Sequence, residues 1–330
     1  MTALDLTSTV ASRPRFRFAG LKLSQELVLV IVIVALFAVV GAMNQRFLAE
    51  RNLQSIFLGN AYIAVAAIGM SMVIISGNID ISVGALIGVL ATISGTLAVN
   101  GVPILLCWIL PIVASIAFTT MMGAMVAYLR IPSIVVSLGF LSILKGGLIS
   151  ATGGAWINEL PPGFHLAQMK FLTIPTPVWA MVGLTIAAAA WMRLSATGRS
   201  FYALGGNAEA ARLSGISRER TTMKVFAIHG LFAGIAGILF ATQLSIIQST
   251  VPPNLELTII TASVVGGVSI LGGTGTVVGS TLAAILIAAI GSALIFINIS
   301  PYWLRAVQGV LILLTVLADL WRRQRQRRRR

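Results

Sequence analysis

Long apolar runs occupy most of this chain, and they constrain its fold more than any other feature of the sequence. A helix that crosses a bilayer needs about 20 mostly apolar residues. About ten runs approach that length, and they cover residues 26–43, 59–76, 82–99, 103–129, 132–150, 177–194, 223–247, 257–271, 277–297 and 303–320. The pattern predicts an all-α, polytopic integral membrane protein with about ten transmembrane helices.

The composition agrees with this class of protein. Hydrophobic residues make up 57% of the chain and the mean hydropathy is +0.97, whereas soluble domains are about 45–50% apolar. Cys107 is the only cysteine, so no disulfide framework can form within one chain.

The charged residues are few and unevenly placed. They make up 10% of the chain, yet the formal net charge is +14, because arginines concentrate in "RPRFRF" near the start and "RRQRQRRRR" at the end. Basic residues that flank membrane spans favour the cytoplasmic side. An even number of spans places both termini on one side, so we expect both to be cytoplasmic. We expect the basic tail to lie against anionic membrane lipid rather than to bind nucleic acid.

This topology divides the chain into three parts. Residues 1–25 are expected to form a cytoplasmic basic segment, residues 26–320 the transmembrane domain, and residues 321–330 a cytoplasmic polybasic tail. Two polar connections interrupt the transmembrane domain, an external loop at 151–177 and a cytoplasmic loop at 195–222. Neither is long enough to form a separate soluble domain.

The cytoplasmic loop carries a complete set of signals for a short helix. Asn207 is a favoured N-cap, Glu209 stands in the first turn, where the helix dipole favours an anion, and Gly215 is placed to end the helix. These signals predict a helix over Ala208 to Ser214. Two turns would not persist alone in water, so we expect the helix to pack against this protein or against a partner, with Leu213 on the packed side.

Five segments of the chain resemble a known family of transporters. "EAARLSG" resembles the EAA-three-residues-Gly signature of the permease subunits of bacterial ABC importers. The wider phrase "GRSFYALGGNAEAARLSGIS" is similar to the ribose, galactose and xylose permease branch, which also includes autoinducer-2 and rhamnose-type systems. The other matching segments are "GNIDISVG", "IPSIVVSLGF", "VVGGVSILGGTGTVVGS" and "ISPYW", in the expected order, with Asn78 where the branch usually has glycine.

The resemblance implies a role and a set of partners. It implies that the loop helix docks on a separate ATP-binding subunit, that a second permease chain completes the pathway, and that a periplasmic or lipid-tethered binding protein delivers a small sugar or sugar-like solute. It places the chain in the bacterial inner membrane, with ATP and Mg²⁺ on the partner ATPase and no cofactor on this chain. The expected coupling residues are Gly198, Arg199, Gly205, Gly206, Asn207, Glu209, Ala210, Ala211 and Gly215.

The sequence offers no sign of catalysis. It has no G-x-x-x-x-G-K-[ST] loop for a nucleotide phosphate. His165 and His229 are the only histidines and lack metal-ligand spacing. We therefore predict no metal site and no enzymatic activity, and we expect His229 to be a packed, hydrogen-bonded side chain.

One aspartate lies among apolar residues in "VIISGNIDISVGALIG". A charge at the centre of a membrane span costs about 2.5–3.5 kcal/mol on insertion scales, so Asp80 is a candidate functional residue. Glycines allow the helix to break there. Asp80 then either caps the next helix in a turn near the inner face or lines the translocation pathway. The candidate residues of this break and of a similar later one are Gly77, Asn78, Asp80, Ser82, Gly84, Gly272, Gly273 and Gly275.

Two alternative functions remain open at this point. A secondary transporter or channel would use Asp80 as an ion or proton site and would need no ATPase. A branched-chain amino-acid ABC permease, from a sister branch, would share the loop helix.

Among the other charges, Lys145 and Arg305 fall near outer ends of spans, where we expect them to snorkel to the interface. Glu256 begins the eighth span and is expected to face a docking partner or the pathway mouth.

Overall fold

The computed structural model describes residues 24–327, without the side chains of 322, 323 and 325–327. The basic segment predicted at 1–25 lies almost wholly outside this range, and so does the end of the polybasic tail. The described chain is built from twelve α-helices, which are α1 Gln25–Met43, α2 Glu50–Ile75, α3 Val83–Val99, α4 Ile104–Tyr128, α5 Ser133–Thr152, α6 Thr176–Leu194, α7 Ala196–Gly206, α8 Ala208–Leu213, α9 Arg218–Gln243, α10 Leu255–Val265, α11 Val277–Phe296 and α12 Trp303–Arg327.

Eight of the described helices are long and apolar enough to cross a membrane. The apolar helices α3 and α10 are shorter, and each of the predicted spans coincides with one of these helices. The all-α, polytopic class is therefore confirmed. Within residues 24–327 the strands are confined to short pairs: β1 Trp156–Ile157 pairs antiparallel with β4 Ile247–Gln248, and β2 Lys170–Phe171 pairs antiparallel with β3 Ile174–Pro175.

The 151–177 connection is ordered by these strands and by short 3-10 helices. It contains 3-10 turns at Pro162–Phe164 and Leu166–Gln168, and a third 3-10 turn, Gln45–Leu48, joins α1 to α2. The β1–β4 pair fastens the connection to the chain that follows α9.

Helices α2 and α9 form the centre of the bundle. In the most apolar 18-residue stretch of each helix, 78% of the residues of α2 and 72% of those of α9 are buried, compared with 6% for α12. Helix α2 packs against α9, α11, α10 and α6, and α9 packs along α4. The outer helices expose large apolar side chains, including Val34, Leu105, Ile143 and Leu313. Such faces suit a hydrocarbon environment, in which lipid tails are as apolar as leucine.

Several predicted boundaries were wrong. Helix α2 begins at Glu50 rather than 59. Its first turns carry polar side chains, so a prediction that follows apolar runs begins the helix too late. Helix α10 ends at Val265 rather than 271, because the chain turns at Gly267, whose φ is +97°. The polar connection at 195–222, which is predicted to be cytoplasmic, is largely helical, and α7 was not predicted at all.

Candidate functional site

The short helix α8 has the caps that its sequence predicts. The Asn207 side-chain oxygen accepts hydrogen bonds from the backbone N–H groups of Glu209 and Ala210, at 3.1 and 3.0 Å. At the other end, Gly215 has φ +81° and donates to the Arg212 carbonyl, while Ile216 donates to the Ala211 carbonyl. This is a complete Schellman motif, so both ends of α8 are determined locally.

Most of α8 faces away from the protein. Only Ala211 is buried among its residues. Leu213 is 76% exposed, so it does not pack against this chain, and of the two expected alternatives packing against a partner remains. Glu209 and Arg212 form an exposed ion pair at 2.6 Å, and the hydrogen bond from Arg212 lowers the pKa of the Glu209 carboxyl. The helix therefore presents an apolar side chain beside an ionised carboxylate.

Helix α7 connects α8 rigidly to the bundle. At its start, Gly198 lies so close to Met192 that an added Cβ would approach the Met192 Cα and O to 2.6 Å. Arg199 donates from Nη1 to the Leu194 carbonyl at 3.0 Å. These two predicted loop residues thus hold α7 against the end of α6 rather than forming part of α8.

The end of α7 packs onto both helix breaks at once. The Gly273 N–H donates to the Ile75 carbonyl at 2.8 Å, and a Cβ on Gly205 would overlap that same carbonyl oxygen. Gly272, with φ +80°, lies against Gly77, with φ +85°. We call Gly77, Gly205, Gly206, Gly272 and Gly273 the glycine junction.

A tyrosine reinforces this junction. The Tyr202 hydroxyl, on α7, donates to the Gly275 carbonyl at 3.0 Å. The structure therefore brings the two candidate breaks and the segment before α8 together, an arrangement that sequence spacing does not reveal. The Asn78 side chain makes its hydrogen bond within its own turn, where it donates to the Ser76 hydroxyl at 3.1 Å.

Asp80 is fully buried and its carboxylate is engaged on both oxygens. Its Oδ1 accepts from the Ser82 N–H at 2.8 Å and from the Ser82 hydroxyl at 2.6 Å, and Ser82 is the N-cap of α3. Its Oδ2 lies 3.1 Å from His229 Nε2, and both side chains have zero exposure. The packed, hydrogen-bonded state expected for His229 is confirmed. Asp80 orders the turn before α3 but does not cap that helix, which has no side-chain cap hydrogen bond, and its pairing with α9 was not foreseen.

A lysine–glutamate ion pair lies at a different helix crossing. Lys145 Nζ is 3.7 Å from Glu256 Oε1, so α5 is linked to α10. Lys145 was expected to snorkel to the interface, and the contact with Glu256 was not predicted. Gly84 belongs to the same crossing, because a Cβ there would lie 2.7 Å from the Glu256 nitrogen. Ionisable residues within membrane helices tend to pair, and that rule was the signal available for finding both pairs.

The described residues contain no group of three or more histidine, cysteine, aspartate or glutamate side chains that could hold a metal ion. The arrangement can instead carry mechanical force. It consists of an exposed, capped helix, a short rigid arm, and a close backbone contact between that arm and two breaks in the bundle.

Comparison with known proteins decides the family. The family described as the permease component of branched-chain amino acid transport systems matches residues 52–316. The chain belongs to this permease family. It is also similar to the autoinducer 2 import system permease protein LsrC of Salmonella typhi, with 34% identity over 90% of this chain and 86% of the relative. No solved structure gives a significant match.

Other relatives have the same description. LsrC of Yersinia enterocolitica is 33% identical over 88% of this chain and 81% of its own length, and LsrC of an Enterobacter species is 33% identical over 90% and 87%. These relatives are transport permeases rather than enzymes. Together with the apolar helices, they identify a multi-pass inner-membrane permease of the ABC importer class. Permeases of this class work with ATPase and solute-binding partners.

Proposed function

We propose that this chain is the membrane-spanning subunit of an ATP-driven importer for a small sugar or sugar-like solute, and that α8 docks on the ATPase. One observation carries the docking proposal: α8 is capped at both ends, exposed on its outer face and connected by α7 to the glycine junction. A free linker would need neither the caps nor the rigid arm. The relatives named for autoinducer 2 import support a sugar-like solute.

The proposed mechanism follows from the contacts along this arm. ATP binding closes the two ATPase subunits, whose movement displaces α8. Helix α7 passes the displacement to Ile75 and Gly273, because the Gly205 backbone touches their backbone without an intervening side chain. The C-terminal end of α2 and the turn before α11 then move together, and the bundle opens alternately to each side. ATP and Mg²⁺ are held by the partner, and this chain binds no cofactor.

The proposed assembly contains further partners. A second permease chain, either identical or different, pairs with this one, and a periplasmic or lipid-tethered protein delivers the solute. The polybasic tail lies against anionic lipid. No role for nucleic acid is proposed.

A branched-chain amino acid is the competing solute, since the matching family carries that description. A zwitterion buried in a bundle needs a counter-charge at each end. In the described bundle, Asp80 is paired with His229 and Lys145 with Glu256, which favours an uncharged solute. Competition of ATP-dependent uptake by excess monosaccharide or by excess leucine separates the two candidates.

The docking proposal is tested by Glu209→Lys and Gly215→Pro, with Glu50→Lys as a matched charge reversal. Glu50 lies in the first turn of α2, at the other end of that helix from the junction. Proline cannot adopt φ +81° and lacks the N–H that Gly215 donates. We expect both loop variants to insert normally but to lose ATPase co-purification and ATP-driven uptake in proteoliposomes, while Glu50→Lys retains both. Normal uptake in the two loop variants would contradict docking through α8.

A further inference from the structure

A polar cleft opens between α2, α10, α11 and α12, away from the residues discussed so far. Its volume is about 410 Å³, within the range of about 300–1,000 Å³ typical of small-molecule sites. Its lining residues include six with polar side chains, which are Asn52, Ser55, Asn60, Thr258, Ser292 and Gln308. None of the lining residues is ionisable. The cleft therefore offers hydrogen bonds without a counter-charge.

Some of these polar groups are already satisfied by the protein. Asn52 donates to the Phe47 carbonyl at 2.7 Å and accepts from Ser292 at 2.8 Å. Gln308 donates from Nε2 to the Thr258 hydroxyl at 3.2 Å. These bonds hold the ends of α2 and α11 together, and α10 and α12 together, so the cleft has a defined shape.

Other polar groups keep unused hydrogen-bonding capacity. Asn60 donates from Nδ2 to the Ile56 carbonyl at 3.1 Å. Within the described residues, no partner is seen for the side-chain oxygens of Asn60 and Gln308 or for the Ser55 hydroxyl. Gln308 is nevertheless only 7% exposed. Two carboxamide oxygens are thus available as acceptors, and hydroxyl groups are suitable donors to them.

The position of the cleft is unusual for polar groups. Asn60 lies about 22 Å along α2 from Ile75 at the glycine junction, so the cleft lies towards the end of the bundle remote from α8. Asn60 is also about 15 Å from the start of α2, well within a membrane-spanning helix. Polar groups in lipid are costly unless they are hydrogen-bonded. Water or a polar ligand would supply the missing bonds.

We propose that this cleft binds an uncharged, polyhydroxylated solute on the side of the bundle that faces away from the ATPase. The carboxamide oxygens of Asn60 and Gln308 accept bonds from solute hydroxyls, and Ile63, Ile287, Phe296 and Leu304 contact its carbon framework. A zwitterionic amino acid finds no counter-charge in the lining. The solute class rests on the proposed function, whereas the cleft's accessibility to water does not.

Cysteine labelling tests the cleft directly. Cys107 is buried and is the only cysteine, so Cys107→Ser gives a background in which Asn60→Cys and Gln308→Cys are introduced singly. Val310→Cys, on an exposed face of the same helix as Gln308, is the control. The reagent is a charged, membrane-impermeant methanethiosulfonate added outside intact cells.

We expect the cleft cysteines to react at least about tenfold faster than the control, because a hydrated thiol ionises more readily than one in lipid. D-Ribose, D-galactose and L-rhamnose are tested separately as protectants, and at least one should slow the reaction whereas L-leucine should not. Equal labelling rates at Gln308→Cys and Val310→Cys would contradict the proposal that the cleft is accessible to water. Fast labelling without protection by any of the three sugars, or with protection by leucine, would overturn the solute class.

Uptake variants provide an independent readout. Gln308→Met and Asn60→Leu retain side-chain volume but remove the acceptor oxygens, and Gln54→Met replaces a carboxamide on another face of α2, where Gln54 bonds Glu50. We expect uptake to fall about tenfold in the first two variants and to remain unchanged in the third. Normal uptake in both cleft variants would overturn the proposal. Labelling requires neither ATP nor α8, so the cleft and the docking proposal can fail separately.

Discussion

At the scale of single residues, Asp80 shows how a carboxylate is accommodated inside the bundle. Three polar groups converge on it: the Ser82 N–H and hydroxyl donate to Oδ1, and the His229 ring lies 3.1 Å from Oδ2. These hydrogen bonds offset part of the cost of burying the carboxyl group. The contacts with Ser82 order the turn before α3, and the contact with His229 connects that turn to α9.

Two substitutions separate shape from charge at this position. Asparagine retains an oxygen that can accept both bonds from Ser82, so we expect Asp80→Asn to fold and to transport nearly as well as the wild type. Asp80→Ala leaves those donors and His229 without their acceptor, and we expect it to lose about 1–3 kcal/mol of stability. Thermal unfolding of the purified protein and ATP-driven uptake measure the two effects. A folded but inactive Asp80→Asn variant would show that the negative charge itself is required.

At the scale of elements, the glycine junction is the structural centre of the proposed coupling. A helix end and two helix breaks meet there through close backbone contacts, and at Gly205 only a residue without a Cβ allows such an approach. The contact is stiff, because close-packed backbones have no side chains that can rotate to absorb a displacement.

Adjacent glycines in α7 provide a matched test of this junction. A Cβ on Gly205 would overlap the Ile75 carbonyl, whereas a Cβ on Gly206 has its nearest neighbour at 4.0 Å. We expect Gly205→Ala to displace α7 and to reduce uptake at least about tenfold, with a loss of about 1–3 kcal/mol in stability from overpacking. Gly206→Ala should remain near wild type. Similar uptake and melting behaviour in the two variants would show that the close approach is unimportant.

At the scale of the whole molecule, a buried pair of central helices is surrounded by helices with exposed apolar faces. The outer faces accommodate lipid and, as proposed, a second permease chain. The exposed polar surface of α8 lies at one end of this bundle, and the polar cleft lies towards the other. The arrangement suits a protein that receives its solute on one side and its energy on the opposite side.

Reconstitution distinguishes this arrangement from an ion-coupled transporter. We expect the purified permease alone in vesicles to show no concentrative uptake under a proton or sodium gradient, and to transport only when ATPase subunits and ATP are supplied. Asp80 is fully buried and engaged, so it has no free oxygen for an ion. Gradient-driven accumulation by the permease alone, measured with radiolabelled monosaccharide, would exclude the ABC mechanism.

The sequence by itself determined the membrane class, the approximate position of each span and the caps of α8. These properties depend on local composition and on hydrogen bonds between residues only a few positions apart, such as those of Asn207 and Gly215. The tertiary structure alone decided that Asp80 meets His229, that Lys145 meets Glu256 and that Gly205 touches Ile75 and Gly273. Those contacts join residues that are far apart in the chain. Helix packing brings them together, and the local sequence pattern carries no information about which of them meet.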